Sequence, residues 1–135
     1  MINWLANPNR FSKLTNKLQI PLLSISTIMI LLGLYYGLFD SPKDYQQGDA
    51  VRIMYVHVPS AWLASFLFLS LAISCVFYLV WKHPLADLIS NSIAPIGAVF
   101  SILTLVTGSL WGKPMWGTWW VWDARLTSML ILFFF

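Results

Sequence analysis

The sequence predicts an all-helical protein that crosses a membrane several times. Of its 135 residues, 59% are hydrophobic and only 10% are charged, and the mean hydropathy is +0.72. Because a soluble domain carries about 25% charged residues, this chain lacks the polar surface to cover a globule of its size. It also contains three apolar runs of about 20 residues, which as helices span a hydrocarbon core of about 30 Å. Together these observations predict a polytopic transmembrane helical bundle.

The three apolar runs define the predicted complete membrane helices. They cover residues 19–39, 59–81 and 93–111, and none contains a charged residue or a histidine. Uncharged runs of this kind do not form an ion path or a proton relay. Pro59 is predicted in the first turn of the second helix, where its missing N–H costs nothing. The pair His83–Pro84 is predicted to end that helix, with His83 in a solvated loop.

A fourth apolar run covers residues 126–135. As a helix it reaches about 15 Å, which is half of a membrane. We therefore expect a truncated fourth helix and a chain that is the N-terminal part of a longer protein. All of residues 1–135 are predicted to form a single integral membrane domain with outer loops at 40–58 and 112–125.

Basic residues predict the orientation in the membrane. Arg10, Lys13 and Lys17 cluster before the first run, and the positive-inside rule then predicts a cytoplasmic N-terminus. Two crossings separate His57 from the loop after the third helix, so both are predicted on the same, outer side. His83 lies one crossing away from His57 and is predicted on the opposite face.

Composition also excludes several classes of function. The net charge is only +3, and the basic residues form no patch of the kind that binds nucleic acid. A single cysteine, Cys75, cannot build a disulfide framework or a thiolate metal site. The outer loops contain no histidine paired with a carboxylate at catalytic spacing and no phosphate-binding loop. We therefore predict that the protein is not an enzyme.

Tryptophan is concentrated in the loop that follows the third run. Five of the eight tryptophans lie between positions 111 and 122, where an even spread would place fewer than one. They are Trp111, Trp116, Trp119, Trp120 and Trp122. An interfacial aromatic belt explains one or two of them, because such a belt is shared among helices. A flat indole surface at the membrane edge would instead suit a large planar hydrophobic ligand; on the residues alone, both interpretations stay open.

Two charged residues follow the tryptophans, where the fourth helix begins. Helix capping and the helix dipole partly explain Asp123. Arg125 is unfavourable for the dipole and therefore needs an anionic partner, which is either Asp123 or a ligand carboxylate held by two hydrogen bonds. Taken alone, a single histidine at a helix end such as His57 is more often a polar cap than a ligand.

The string WGKPMWGTWWVWDARLTS at positions 111–128 resembles the WWD signature of heme-handling membrane proteins. Within that superfamily it is most similar to the heme exporter protein C family, and the segment RIMYVHVP at 52–59 is similar to that family's entry to its second helix. The resemblance covers nearly all of the chain. A cytochrome c synthase (heme lyase) with the same signature is one alternative, although more helices would precede its tryptophan loop. Another is a structural membrane subunit without heme, anchored by its tryptophans.

The resemblance implies a function in cytochrome c maturation of the system I type. It implies that heme b is held on the outer face and passed to a heme chaperone, with ABC-transporter subunits and a small membrane subunit as partners. His57 would be one axial ligand of the iron, and the tryptophan loop with Asp123 and Arg125 would hold the porphyrin. The family's second axial histidine would lie beyond Phe135. The expected location is the bacterial inner (plasma) membrane, with the mitochondrial inner membrane as the alternative.

Overall fold

The computed structural model describes residues 8–135, which form four α-helices and no strand. In chain order these are α1 (Pro8–Tyr35), one π-helical turn (Tyr36–Asp40), α2 (Val51–Trp81), α3 (Pro84–Trp116) and α4 (Ala124–Phe134). Three stretches are long and apolar enough to cross a membrane, namely Ser12–Asp40, Val51–Trp81 and Pro84–Trp116. The predicted class, an all-helical chain with three helices that could span a membrane and a short fourth helix, is confirmed.

The chain divides into two compact units. The first ends at Ser41 and contains α1 with the π-helical turn, and the second extends from Pro42 to Phe135. In the second unit, α2 packs along α3, and α4 packs against α3. All the contacts described below lie within this second unit.

The helices are longer than predicted, and the loops are correspondingly shorter. The predicted starts at 59 and 93 were wrong, since α2 begins at Val51 and α3 at Pro84. The predictions followed hydropathy, whereas helical hydrogen bonding continues through polar residues next to each apolar run. Consequently Pro59 lies inside α2 rather than in its first turn, and His57 is a helical residue rather than a loop residue.

The connection between α2 and α3 takes only two residues. Lys82 adopts a left-handed conformation (φ 52°), and its N–H donates to the carbonyl of Tyr78 at 2.8 Å. His83 then caps α3, because its Nδ1 accepts a hydrogen bond from the backbone N–H of Leu85 at 3.2 Å. Pro84 occupies the first turn, where proline is favoured. The exposed His83 therefore lies in the connecting loop, as predicted, and in addition caps α3.

Small residues on one face of α3 allow α2 to approach closely. The buried members of this face are Gly97, Ser101, Thr104, Gly108 and Gly112. They recur every three or four positions, which places them on one side of the helix, and such small-residue faces are typical of helix contacts in membranes. Large apolar side chains lie mostly on the outside of the described helices, as expected for surfaces that face lipid.

Candidate functional site

A cavity of about 300 Å³ lies between α2, α3 and the start of α4. From α2 it is lined by Met54, His57 and Ala61, and from α3 by Thr104, Leu105, Gly108, Trp111 and Trp116. The segment around the α4 N-terminus contributes Asp123, Arg125, Leu126 and Met129. The cavity is therefore built from segments that are far apart in sequence and brought together by the packing of three helices.

Five of the eight residues predicted for the site line this cavity. They are His57, Trp111, Trp116, Asp123 and Arg125. The other three, Trp119, Trp120 and Trp122, lie outside its lining. Trp119 and Trp122 are 54% and 77% exposed. The indole Nε1 of Trp120 is buried without a hydrogen-bond partner among the described residues.

His57 is half-buried in the second turn of α2 and is held against α3. Its Nδ1 lies 3.0 Å from the hydroxyl oxygen of Thr107, and Nε2 takes no part in this contact. The ring also lies close to the backbone of α3, because a Cβ added at Gly108 would stand 3.1 Å from its Cε1. Thr107 and Gly108 together therefore determine where this ring lies.

Two indoles form the aromatic part of the cavity wall. Trp111 and Trp116 have ring centroids 5.2 Å apart and planes at 87°, an edge-to-face arrangement. The indole N–H of Trp111 donates to the side-chain oxygen of Gln47 at 2.9 Å. Trp116 folds back over Gly112, where an added Cβ would stand 3.2 Å from its ring. A side chain at position 112 would therefore displace the Trp116 ring by a few tenths of an ångström.

The end of α3 determines the geometry of the remaining tryptophans. The helix ends at Gly117, whose φ of 78° favours glycine, and residues 117–123 are not helical. Trp120 and Trp122 contact each other edge-to-face, with planes at 75°. The prediction of one flat indole surface was therefore wrong, because edge-to-face pairs turn neighbouring rings nearly perpendicular. The indoles instead form two groups: a pair in the cavity wall, Trp111 and Trp116, and an outer group, Trp119, Trp120 and Trp122.

Asp123 and Arg125 form an ion pair at the N-terminus of α4. One carboxylate oxygen of Asp123 accepts the backbone N–H of Leu126 at 2.9 Å and so caps the helix, as predicted. The other oxygen accepts Nε and Nη2 of Arg125 at 3.0 and 2.8 Å. The Leu126 N–H and the guanidinium hold the pKa of the Asp123 carboxyl below its usual value. The partner of Arg125 within the chain is therefore Asp123, and the guanidinium also lies 5.6 Å from the Trp116 ring.

Several lining residues were missed by the sequence reasoning. Among them, Thr104 and Gly108 share one helical face with the predicted Trp111, because the three positions are spaced by four and three. That register, with small and polar residues leading to a tryptophan, is the signal that could have found them. Met54 and Met129 carry no such signal, because methionine is common in apolar helices. No cluster of three or more metal-binding side chains occurs within residues 8–135. His57 is the histidine among the residues that line the cavity.

The fold and the cavity define a class of protein: a helical membrane protein whose packed helices enclose an aromatic cavity containing a single histidine. A family profile described as heme exporter protein C (CcmC) matches residues 1–135. The chain therefore belongs to the heme exporter protein C family, and the resemblance stated from the sequence is confirmed.

Individual relatives support the same assignment. The chain is 55% identical over 130 residues to heme exporter protein C of Bradyrhizobium diazoefficiens, covering 96% of this chain and 49% of that protein. It is 52% identical over 116 residues to heme exporter protein C of Escherichia coli (strain K12), covering 85% and 47%. A putative cytochrome c biosynthesis ccmC-like mitochondrial protein of Marchantia polymorpha is 52% identical over 113 residues, covering 84% and 50%. The chain thus spans about half the length of these relatives.

Proposed function

We propose that this chain forms one side of a heme site used in cytochrome c maturation, and that it presents heme on the outer membrane face for transfer to a heme chaperone. The observation that carries the proposal is the cavity in which His57 lies beside Trp111, Trp116 and Arg125. Heme is the cargo of this site. The membership of the chain in the heme exporter protein C family supports the same conclusion.

The residues of the cavity fit the chemistry of heme. An imidazole is a common axial ligand of heme iron, and the Nδ1 contact with Thr107 leaves Nε2 of His57 for that role. The indoles of Trp111 and Trp116 offer aromatic faces and edges to a porphyrin. The volume of about 300 Å³ lies at the lower end of the range for ligand sites, about 300–1,000 Å³. A porphyrin would accordingly be only partly enclosed by this cavity.

Arg125 is suited to hold a heme propionate. A guanidinium carries five N–H donors in a fixed geometry, and Asp123 uses only those at Nε and Nη2. The side chain of Arg125 is 79% exposed, so its other donors are accessible to a carboxylate. Asp123 would then orient Arg125 in addition to capping α4.

The described residues supply one axial ligand to the proposed site. The described residues provide His57 to the cavity, whereas His83 follows the opposite end of α2. The 24 residues from His57 to Trp81 span about 36 Å as a helix, so His83 does not reach the same iron. A second axial ligand would therefore have to come from outside the described residues. ABC-transporter subunits and a small membrane subunit are the proposed partners, in a bacterial inner membrane or a mitochondrial inner membrane with the N-terminus inside.

Hemin titration of the protein in lipid nanodiscs tests the proposal and locates the heme. Trp116→Leu removes an indole from the cavity, and a triple replacement of Trp119, Trp120 and Trp122 by Phe changes the outer group. We expect Trp116→Leu to weaken hemin binding and to shift the heme absorption spectrum more than the triple variant does. A larger effect of the triple variant would instead place the heme on the outer indoles. Unchanged binding and spectra in both variants would contradict stacking on this loop.

A further inference from the structure

The hydroxyl of Thr107 lies between the His57 ring and the backbone of its own helix. Its oxygen stands 2.6 Å from the carbonyl oxygen of Leu103 and 3.3 Å from that of Thr104. It also stands 3.0 Å from Nδ1 of His57, which is 50 positions away in sequence. Three neighbours therefore compete for the single hydrogen of this hydroxyl.

The chemistry of these neighbours decides the direction of each hydrogen bond. A carbonyl oxygen only accepts hydrogen bonds, so a separation of 2.6 Å between two oxygens requires the Thr107 hydrogen to lie between them. The hydroxyl hydrogen is thereby committed to Leu103. The Thr107 oxygen then presents a lone pair to His57, and the 3.0 Å contact is a hydrogen bond only if Nδ1 of His57 carries a proton and donates it.

We propose that Thr107 is a positioning residue that holds neutral His57 in the tautomer with its proton on Nδ1 and its lone pair on Nε2. A neutral imidazole has one N–H and one acceptor nitrogen, and a metal binds the nitrogen that the other hydrogen bond leaves unprotonated. The assignment of the tautomer stands on geometry alone. Its consequence, that Nε2 is ready to bind iron, rests on the proposed function.

Gly108 provides a second constraint on the same ring. A Cβ at this position would stand 3.1 Å from Cε1 and 3.7 Å from Nδ1 of His57, so the edge of the ring that carries Nδ1 lies against the backbone of α3. Thr107 accepts the Nδ1–H while Gly108 leaves room for the ring edge beside it. Thr107 and Gly108 thus act on the tautomer and the location of the imidazole, and the backbone carbonyl of Thr104 is a further acceptor for the ring N–H.

Nitrogen-15 NMR of the heme-free protein tests the tautomer directly. The chain has two histidines, and His83→Asn keeps a helix-capping side chain while leaving His57 as the single labelled ring. At about pH 8.5, two units above the ordinary histidine pKa of about 6.5, the ring is neutral, and its long-range couplings identify the protonated nitrogen. We expect Nδ1–H in this background and in the added Thr107→Ser variant, and a shift toward Nε2–H in Thr107→Val. Protonation on Nε2 without any change at Thr107, or an unaltered tautomer in Thr107→Val, would overturn the proposal.

Hemin titration separates this role from a purely structural one. Loss of the partner of a metal-binding histidine costs about 10–100-fold in metal affinity, so Thr107→Val should weaken hemin binding within that range while its helix content is unchanged. Thr107→Ser, which retains the hydroxyl, should bind like the wild type. Equal hemin affinity in the wild type and Thr107→Val overturns the positioning role but leaves the proposed function intact. Failure of the wild type to bind hemin overturns the proposed function, while the NMR result still decides the tautomer.

Discussion

At the scale of single residues, the cavity depends on two glycines of α3 that allow aromatic rings to approach the backbone. Gly108 faces the imidazole of His57, and Gly112 faces the indole of Trp116. In both cases an added Cβ would stand 3.1–3.2 Å from the ring, closer than an ordinary van der Waals contact. Gly108 and Gly112 therefore influence where the His57 and Trp116 rings lie.

Replacing Gly108 by alanine is expected to push the His57 ring away from Thr107 and to weaken hemin binding. The Gly97→Ala variant is a matched control, because its Cβ would meet Phe68 at 3.5 Å, an ordinary contact. Both substitutions gain about 1 kcal/mol of helix propensity, so that effect cancels in the comparison. Hemin affinity measured for both variants decides the point, and equal affinities would show that Gly108 has no specific role.

The ion pair at the start of α4 predicts a dependence of stability on pH. The pKa of Asp123 is lowered in the folded protein by the Leu126 N–H and by Arg125. Its stabilising effect is therefore complete above the ordinary aspartate pKa of about 3.9 and is lost as the pH falls toward the lower folded value. Asp123→Asn keeps a capping side chain but carries no charge. We expect its thermal midpoint to lie below that of the wild type at neutral pH, with a difference that begins to shrink at about pH 4 and disappears as the pH falls through the lower folded pKa; a difference independent of pH would contradict this account.

The sequence indicated which residues are chemically suited to a ligand site, but it did not indicate where all of them lie in the fold. His57, Trp111, Trp116 and Arg125 were found because their side chains carry chemistry that the rest of an apolar chain lacks. The position of Trp122 outside the cavity lining depends on where α3 ends, which Gly117 determines through a left-handed backbone conformation. Hydropathy does not indicate where α3 ends. The sequence alone therefore could not distinguish the indoles that line the cavity from those outside it.

At the scale of elements, the segment between α1 and α2 is attached to the cavity wall through a side-chain hydrogen bond. Gln47 accepts the indole N–H of Trp111 at 2.9 Å. A tight turn precedes it, in which Asp44 accepts the backbone N–H groups of Gln46 and Gln47, and Gly48 has a φ of 58°. This segment thereby holds the indole of Trp111 through its N–H.

Gln47→Leu is expected to destabilise the protein, because it leaves the partly buried Trp111 N–H without its acceptor. Such a loss costs about 1–3 kcal/mol and should lower the thermal midpoint and speed the exchange of the Trp111 indole hydrogen. Gln46→Leu is the matched control, since Gln46 is exposed and its neighbours use only its backbone N–H. Similar midpoints and exchange rates in the two variants would show that the hydrogen bond contributes little.

The helices themselves illustrate what a hydropathy pattern can predict. The apolar runs correctly indicated three long helices, because only lipid-facing surface explains such composition. The starts of α2 and α3 were missed, since polar residues such as Arg52 and Asn91 continue the helical hydrogen bonding. The start of α3 could have been predicted from His83–Pro84, which combines a side-chain acceptor with a proline in the first turn.

At the scale of the whole molecule, the chain belongs to the heme exporter protein C family and spans about half the length of its relatives. The two chemically distinctive regions of the sequence, around His57 and around the tryptophans, meet in one cavity through the packing of α2 on α3. The topological argument that both lie on one side of the membrane already placed them near each other. The contact between His57 and Thr107 could not be predicted in that way, because it depends on the register of two helices.

The central claim is that His57 binds heme iron, and hemin titration of the nanodisc-embedded protein with His57→Gly and His83→Asn tests it most directly. The two variants remove the two histidines of the chain in turn. We predict that His57→Gly loses the spectrum of histidine-ligated heme, that added imidazole restores it, and that His83→Asn binds hemin like the wild type. If His57→Gly gives the wild-type affinity and spectrum without imidazole, His57 is not the ligand and the account is contradicted.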